Sequence, residues 1–285
     1  MPMDKESQLV VDLVDAFKII KRDNGIPDWA WKYSPPVPFV GRNYKKGEGL
    51  LVYASAENLS WTKTGKPEHF SDDEKAYTRR WDFYTDYLHH CNRYKGMFDG
   101  EGTHVGIGPF DSGGLLVAAR VVSKHFGLPM SDEPDKFLEM LAVTNWCKFT
   151  ILCMAFVNHD YADNVEKLKY SLPYVSKELS MLNPAKVIMP ATTYKRKTIR
   201  DAIKKECDAP IPLYQFSTRV LDHKCLVKCV DKGPRLKSET EASDPVLADW
   251  MAKIGVSGAY KEKSWGYLAH VKSVLREIEK TCEDL

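Results

Sequence analysis

The sequence predicts an α/β fold: a mostly parallel central sheet with helices on both faces. Short apolar runs of strand length alternate along the chain with longer segments of helical apolar spacing. The runs Leu50-Leu51-Val52-Tyr53, Leu141-Ala142-Val143 and Val187-Ile188-Met189 are nearly continuous in apolar character, as strands covered on both sides are. The 285 residues, 44% hydrophobic and 28% charged, suit one large domain with a sizeable core. The expected organisation is a single domain over 1–285, with an N-terminal helical extension at about 1–37 and insertions at about 59–107 and 231–262.

Leu9, Val10, Leu13, Val14, Phe17 and Ile20 repeat at helical spacing and predict an opening helix. Gly25, Pro27 and Ser34-Pro35-Pro36 break the chain after it. Gly49 to Tyr53 reads as a buried strand, followed by a polar loop from Ala54 to Lys66. Ser71-Asp72-Asp73-Glu74 is a capping box, and the helix it starts sets Tyr77, Trp81, Tyr84, Leu88 and Cys91 on one face. A glycine-rich loop spans Gly96 to Gly114, and Leu115 to Phe126 reads as a helix stopped by Gly127. Leu141 to Asn145 is a strand ending in an amide. A helix from near Pro173 to Leu182 carries Val175, Leu179 and Leu182, and Lys186 to Met189 is a third buried strand. A basic helix runs from about Lys195 to Lys205, and Ile211 to Phe216 is a fourth strand. Asp231 to Ser243 is charged and turn-rich, and reads as an insertion loop. The last helix, Tyr267 to Lys280, turns Leu268, Val271, Leu275 and Ile278 inward.

Several function classes fall away. No apolar run approaches the ~18 residues of a membrane span, and residues 1–6 lack the apolar stretch of a signal peptide. A cytoplasmic monomer without a membrane partner is the expectation. The seven cysteines are an odd number without a CxxC pair. The Cys147/Cys153 and Cys225/Cys229 spacings are not zinc or iron–sulfur signatures, so reduced structural thiols and no metal or other cofactor are expected. A net charge of +2 is not that of a polycation, but a local basic stripe suffices for phosphate contact. No phosphate-binding loop, dinucleotide fingerprint, HExxH or GxSxG is present.

Open parallel sheets bind ligands at the carboxyl ends of their strands. Glu57 and Asn58 follow the first strand, and Phe110 lies in the loop feeding the next helix. Asn145 ends the second strand with Lys148 just beyond, while Ser217 and then His223 follow the fourth. An amide can pair with a base edge. An aromatic face can stack on a base drawn out of a duplex. A carboxylate can align water and stabilise a cationic sugar, and a histidine can donate to a carbonyl of a departing base. Each residue also has a purely structural reading: Phe110 as a core aromatic, Asn145 as a turn amide, Glu57 and His223 as surface groups. Lys195, Arg196, Lys197 and Arg200 open the densest basic stretch, either a phosphate-binding face or a solvated one.

The order of these pieces resembles the uracil-DNA glycosylase superfamily. Gly108-Pro109-Phe110 with Gly113-Gly114-Leu115-Leu116 is similar to that family's aromatic segment and the helix behind it. Thr144-Asn145 with Lys148 resembles its base-reading strand end, and Leu182-Asn183-Pro184-Ala185-Lys186-Val187-Ile188 its lead-in to the third strand. The resemblance spans roughly residues 38 to 280. Two motifs depart from it. The glycine-acid-proline-glycine pattern is missing, leaving Glu57 as the nearest carboxylate. The His-Pro-Ser loop is missing too, with Gln215-Phe216-Ser217 in its place and His223 nearby.

The resemblance implies a three-layer sandwich and a DNA glycosylase, a base-excision repair hydrolase that flips uracil or another altered base from single- or double-stranded DNA and cleaves its N-glycosidic bond. It implies Glu57, Asn145 and His223 as catalytic residues and Asn58, Phe110, Lys148 and Ser217 as substrate-binding residues. Lys195, Arg196, Lys197 and Arg200 would meet DNA. A catalytically silent binder of nucleic acid or a partner protein, and a hydrolase of free nucleosides or nucleotides, are the alternatives.

Overall fold

A computed structural model describes residues 5–23, 38–54, 109–132, 136–137, 139–146, 148, 165–207, 210–213, 233–254 and 261–283. The elements are α1 (Lys5–Asp23), β1 (Phe39–Val40), β2 (Leu50–Ala54), α2 (Pro109–His125), β3 (Leu141–Asn145) and α3 (Val165–Leu182). They continue as β4 (Lys186–Pro190), α4 (Ala191–Tyr194), α5 (Lys197–Glu206), β5 (Ile211–Leu213), α6 (Gly233–Ser243), α7 (Pro245–Ile254) and α8 (Lys261–Glu283). None of these helices is long and apolar enough to cross a membrane.

The sheet has the order β1-β3-β2-β4-β5. β2, β3, β4 and β5 run parallel, and the two-residue β1 closes the β3 edge antiparallel to it. Side chains alternate between the two faces of each strand, and both faces are buried. Leu50 and Val52 of β2 join one core with residues of α2, α6, α7 and α8. Leu51 and Tyr53 join the other with residues of α1, α3 and α5. This is the α/β arrangement the apolar runs predict. The N-terminal helix belongs to it, because Val10, Leu13 and Phe17 are buried in the second core.

Three helices differ from the sequence expectation. α2 begins at Pro109, six residues before the expected Leu115, so Gly113 and Gly114 lie inside a helix. Proline suits a first turn because its missing N–H is not needed there. α3 begins at Val165 and carries Pro173 in its interior, although proline removes one helical hydrogen bond. Burial of Tyr174, Val175, Leu179 and Leu182 offsets that loss. The segment expected as a loop from Asp231 to Ser243 is the helix α6 from Gly233 onward. Arg235 pairs with Glu239 at 2.7 Å and Lys237 with Glu241 at 3.8 Å, each one turn apart, while Leu236 and Thr240 face the core.

The helix ends follow the expected chemistry. Gly127 after α2 has φ +61°, the left-handed conformation that glycine adopts without strain. Asn183 takes the same role after α3 at φ 43°, its N–H donating to the Leu179 carbonyl at 2.8 Å, and Pro184 prevents continuation. The capping-box helix expected from Ser71 to Cys91 and the strand residues Tyr214 to Phe216 lie outside the described residues.

Candidate functional site at the carboxyl edge of the sheet

β2 sits between β3 and β4, so the chain moves to one side of β2 first and to the other side next. That reversal makes the crevice beyond the carboxyl ends of β2 and β4 the place where open α/β sheets take ligands. At this edge Tyr53 is in register with Thr144, and Ala54 with Asn145. Asn145 therefore ends β3 beside the last residue of β2, as expected of a strand-end amide. Phe110 occupies the first turn of α2. The side chains of Asn145 and Phe110, and all of Glu57, Asn58, Ser217 and His223, lie outside the described residues.

Lys148 is placed differently from a substrate-facing cation. Its side chain and that of Glu178 are both 0% exposed, and the two form an ion pair. The Lys148 ammonium also meets the Thr144 hydroxyl at 3.0 Å. The Tyr53 hydroxyl donates to Glu178 at 2.9 Å. The rings of Phe17 and Tyr53 flank the ammonium at 5.7 and 5.8 Å from their centroids. Burial pushes the Glu178 carboxyl up to about 7, against the lowering by Lys148, Tyr53 and Thr144. Burial, and next the Glu178 charge, raise the Tyr53 phenol above its ordinary value. The network thus ties β2 and β3, one residue short of Ala54 and Asn145, to the helix α3 beneath them. Sequence reasoning missed Tyr53, Thr144 and Glu178 as its members. The available signal was Glu178 itself, a carboxylate within the apolar stripe Val175, Leu179, Leu182.

Two more polar groups at this edge go beyond the sequence expectation. Trp146 follows Asn145, and Thr193 lies three residues beyond β4; both are buried. Neither Trp146 Nε1 nor Thr193 Oγ1 has a hydrogen-bond partner among the described residues. Buried donors in native proteins nearly always find a partner in protein, water or ligand.

The basic stretch is α5 and the residues leading into it. Ile199 and Ile203 bury one face of α5 against α3, which turns Lys197, Lys204 and Lys205 outward. The guanidinium of Arg200 lies 5.5 Å from the Tyr194 ring centroid. Arg196 is the N-cap residue and makes no side-chain capping bond, and the first turn has no acidic residue. A cationic first turn opposes the helix dipole, which favours negative charge at that end. Lys195, Arg196, Lys197 and Arg200 therefore make a cationic helix start on the same edge as Asn145, because α5 is reached from the carboxyl end of β4 through the single turn of α4.

No protein-family model, no curated protein and no solved structure matches this chain.

Proposed function

We propose that the chain is a divergent DNA glycosylase with the layered fold of the uracil-DNA glycosylase superfamily, cleaving the bond between an altered base and deoxyribose. The observation that carries the reading is the juxtaposition at one sheet edge: β3 ends at Asn145, in register with the last residue of β2, and the cationic start of α5 follows β4 on the same edge, where the strand order reverses. The amide can pair with the edge of a flipped base, and the cationic turn can hold the phosphates beside it. Trp146 and Thr193, whose buried donors have no partner among the described residues, add hydrogen-bonding capacity at this edge.

In the proposed reaction, Phe110 stacks on the base and Asn145 reads its edge, with Asn58 and Ser217 as further contacts. The C1′–N bond breaks and its electron pair leaves with the base, steadied by a hydrogen bond from His223. Water aligned by Glu57 attacks C1′ and gives up its proton to that carboxylate. Lys148 acts through Glu178 by holding the two strand ends in register, as a positioning residue. The missing glycine-acid-proline-glycine and His-Pro-Ser motifs favour a second reading, a silent member that binds DNA without cleaving it.

The deciding experiment is a base-release screen on single- and double-stranded oligonucleotides, each carrying one altered base. Release of at least one base supports the enzyme. Binding of the same oligonucleotides with no release across the set supports the silent reading. Neither binding nor release overturns both.

A further inference from the structure

On the other face of the sheet, a cleft of about 480 Å³ opens between α2, α6, α7 and α8. That volume falls within the ~300–1,000 Å³ of small-molecule sites. Its apolar surface comes from Val121 of α2, Leu247 of α7 and Leu275 of α8. The charges around it divide into two groups. On the α2 side, Asp244 accepts from Lys124 at 2.8 Å, Arg120 at 3.0 Å and the Leu247 N–H at 3.1 Å. Burial works against ionisation of this carboxyl, but those hydrogen bonds together hold it below its ordinary value. His125 Nε2 lies 3.1 Å from Glu279. Both carboxylates lining the cleft thus have basic neighbours.

On the α8 side stand Lys272 and Arg276, one helical turn apart. Neither has a carboxylate partner among the described residues. Side chains four apart on a helix are neighbours, so the two cations can converge on one anion. A guanidinium adds a planar fork that matches phosphate oxygens. The carbonyls ending α2 repel negative charge, which directs an anion toward α8. The hydroxyls of Thr240 and Ser243, also in the lining, donate to their own helix at 2.7 Å each, so they offer lone pairs and no free donor to a ligand. An apolar floor, two cations one turn apart with no ion-pair partner among the described residues, and acids held by other groups (Asp244 by Lys124 and Arg120; Glu279, one turn beyond Arg276, beside His125) specify an anionic head joined to an apolar body.

We propose that this cleft binds a phosphate monoester carried on an aromatic or apolar body, gripped by Lys272 and Arg276. The site is independent of the proposed glycosylase reaction and lies on the opposite face of the sheet from α5. A free small molecule and the phosphorylated end of a strand share this chemistry.

Calorimetric titration of the full chain with 1-naphthyl phosphate, inorganic phosphate and a 5′-phosphorylated oligonucleotide tests the proposal. The naphthyl ester should saturate one site and bind about tenfold or more tighter than inorganic phosphate, because its ring buries against the floor. The K272Q/R276Q variant should lose about tenfold or more of that affinity, as expected when charge-assisted contacts go. Its unfolding midpoint should change little, since Arg276 is exposed, Lys272 is only half-buried and glutamine keeps most of each side chain's length. A 5′-phosphorylated oligonucleotide that outbinds its unphosphorylated twin only in the unsubstituted protein assigns the site to a strand end. Naphthyl phosphate binding without that difference assigns it to a small molecule. No saturable binding of any phosphate monoester, or equal affinity in K272Q/R276Q, overturns the proposal.

Discussion

At the scale of single residues, the buried pair of Lys148 and Glu178 governs what the carboxyl edge can withstand. Removing one partner of a buried ion pair strands the other charge in a poorly solvating interior and typically costs about 3–5 kcal/mol. Lys148→Met should therefore lower the unfolding free energy by about that much in urea titrations above about pH 7, where the Glu178 carboxyl is ionised, and by less below it, where the carboxyl keeps its proton. Adding Glu178→Gln should recover part of the loss, because a neutral amide can still accept from Tyr53 and Thr144. A double variant no more stable than Lys148→Met would show that the charges are not coupled. The pair also sets a pH dependence. The folded-state carboxyl titrates near 7 against an ordinary 4.5, so between those values the native state keeps a proton that the unfolded chain releases. Its contribution is full below about 4.5 and is lost as pH rises through about 7. Stability measured across that window should fall for the unsubstituted chain and fall less for the double variant; parallel curves would place the titration elsewhere.

At the scale of elements, helix ends and helix faces carry separable predictions. Gly127→Ala should destabilise by about 1 kcal/mol, read as a lower urea midpoint, because a Cβ in the left-handed region strains the backbone. No neighbouring atom would lie within 4 Å of that Cβ, so steric collision adds nothing to the strain. Reversing Lys195 and Lys197 to Glu should weaken DNA binding similarly for all sequences and flatten its salt dependence by about one unit of slope per lost phosphate contact. An unchanged slope would assign this face to solvent. The parallel strands are legible because each is an unbroken apolar run, and α1, α5 and α8 because their apolar residues keep helical spacing. Other features are hidden for physical reasons. Gly113, Gly114 and Pro173 signal breaks locally, yet tertiary burial carries α2 and α3 through them. The charged stretch of α6 reads as a loop by composition, and only the pairing of opposite charges four apart marks it as a helix. Asn145 as the end of β3 is legible from the strand, whereas the partner of Lys148 comes from a helix 30 residues further along the chain, a separation no local pattern reports.

At the scale of the whole molecule, strand order decides which distant segments can cooperate. β2 and β3 are separated in sequence by α2 and the residues before it, yet their last residues, Ala54 and Asn145, are register partners. In the sequence, Glu57, the proposed water-aligning carboxylate, follows the last residue of β2 by three positions. The proposed roles separate fold from chemistry, since the two cores are built from apolar residues of the strands and helices. Asn145→Ala should leave the circular dichroism spectrum and the cooperative unfolding transition intact while abolishing measurable base release from the oligonucleotide that the unsubstituted chain cleaves. Loss of a donor that stabilises charge in the transition state typically lowers the rate by about 100- to 1000-fold. Glu57→Gln should slow release too, because a neutral amide neither accepts the water proton nor steadies a cationic sugar as a carboxylate does. Single-turnover kinetics separate these losses from weaker DNA binding, which the same oligonucleotide reports by titration. Full activity in both variants would remove Asn145 and Glu57 from the reaction and place the chemistry on other residues of the chain.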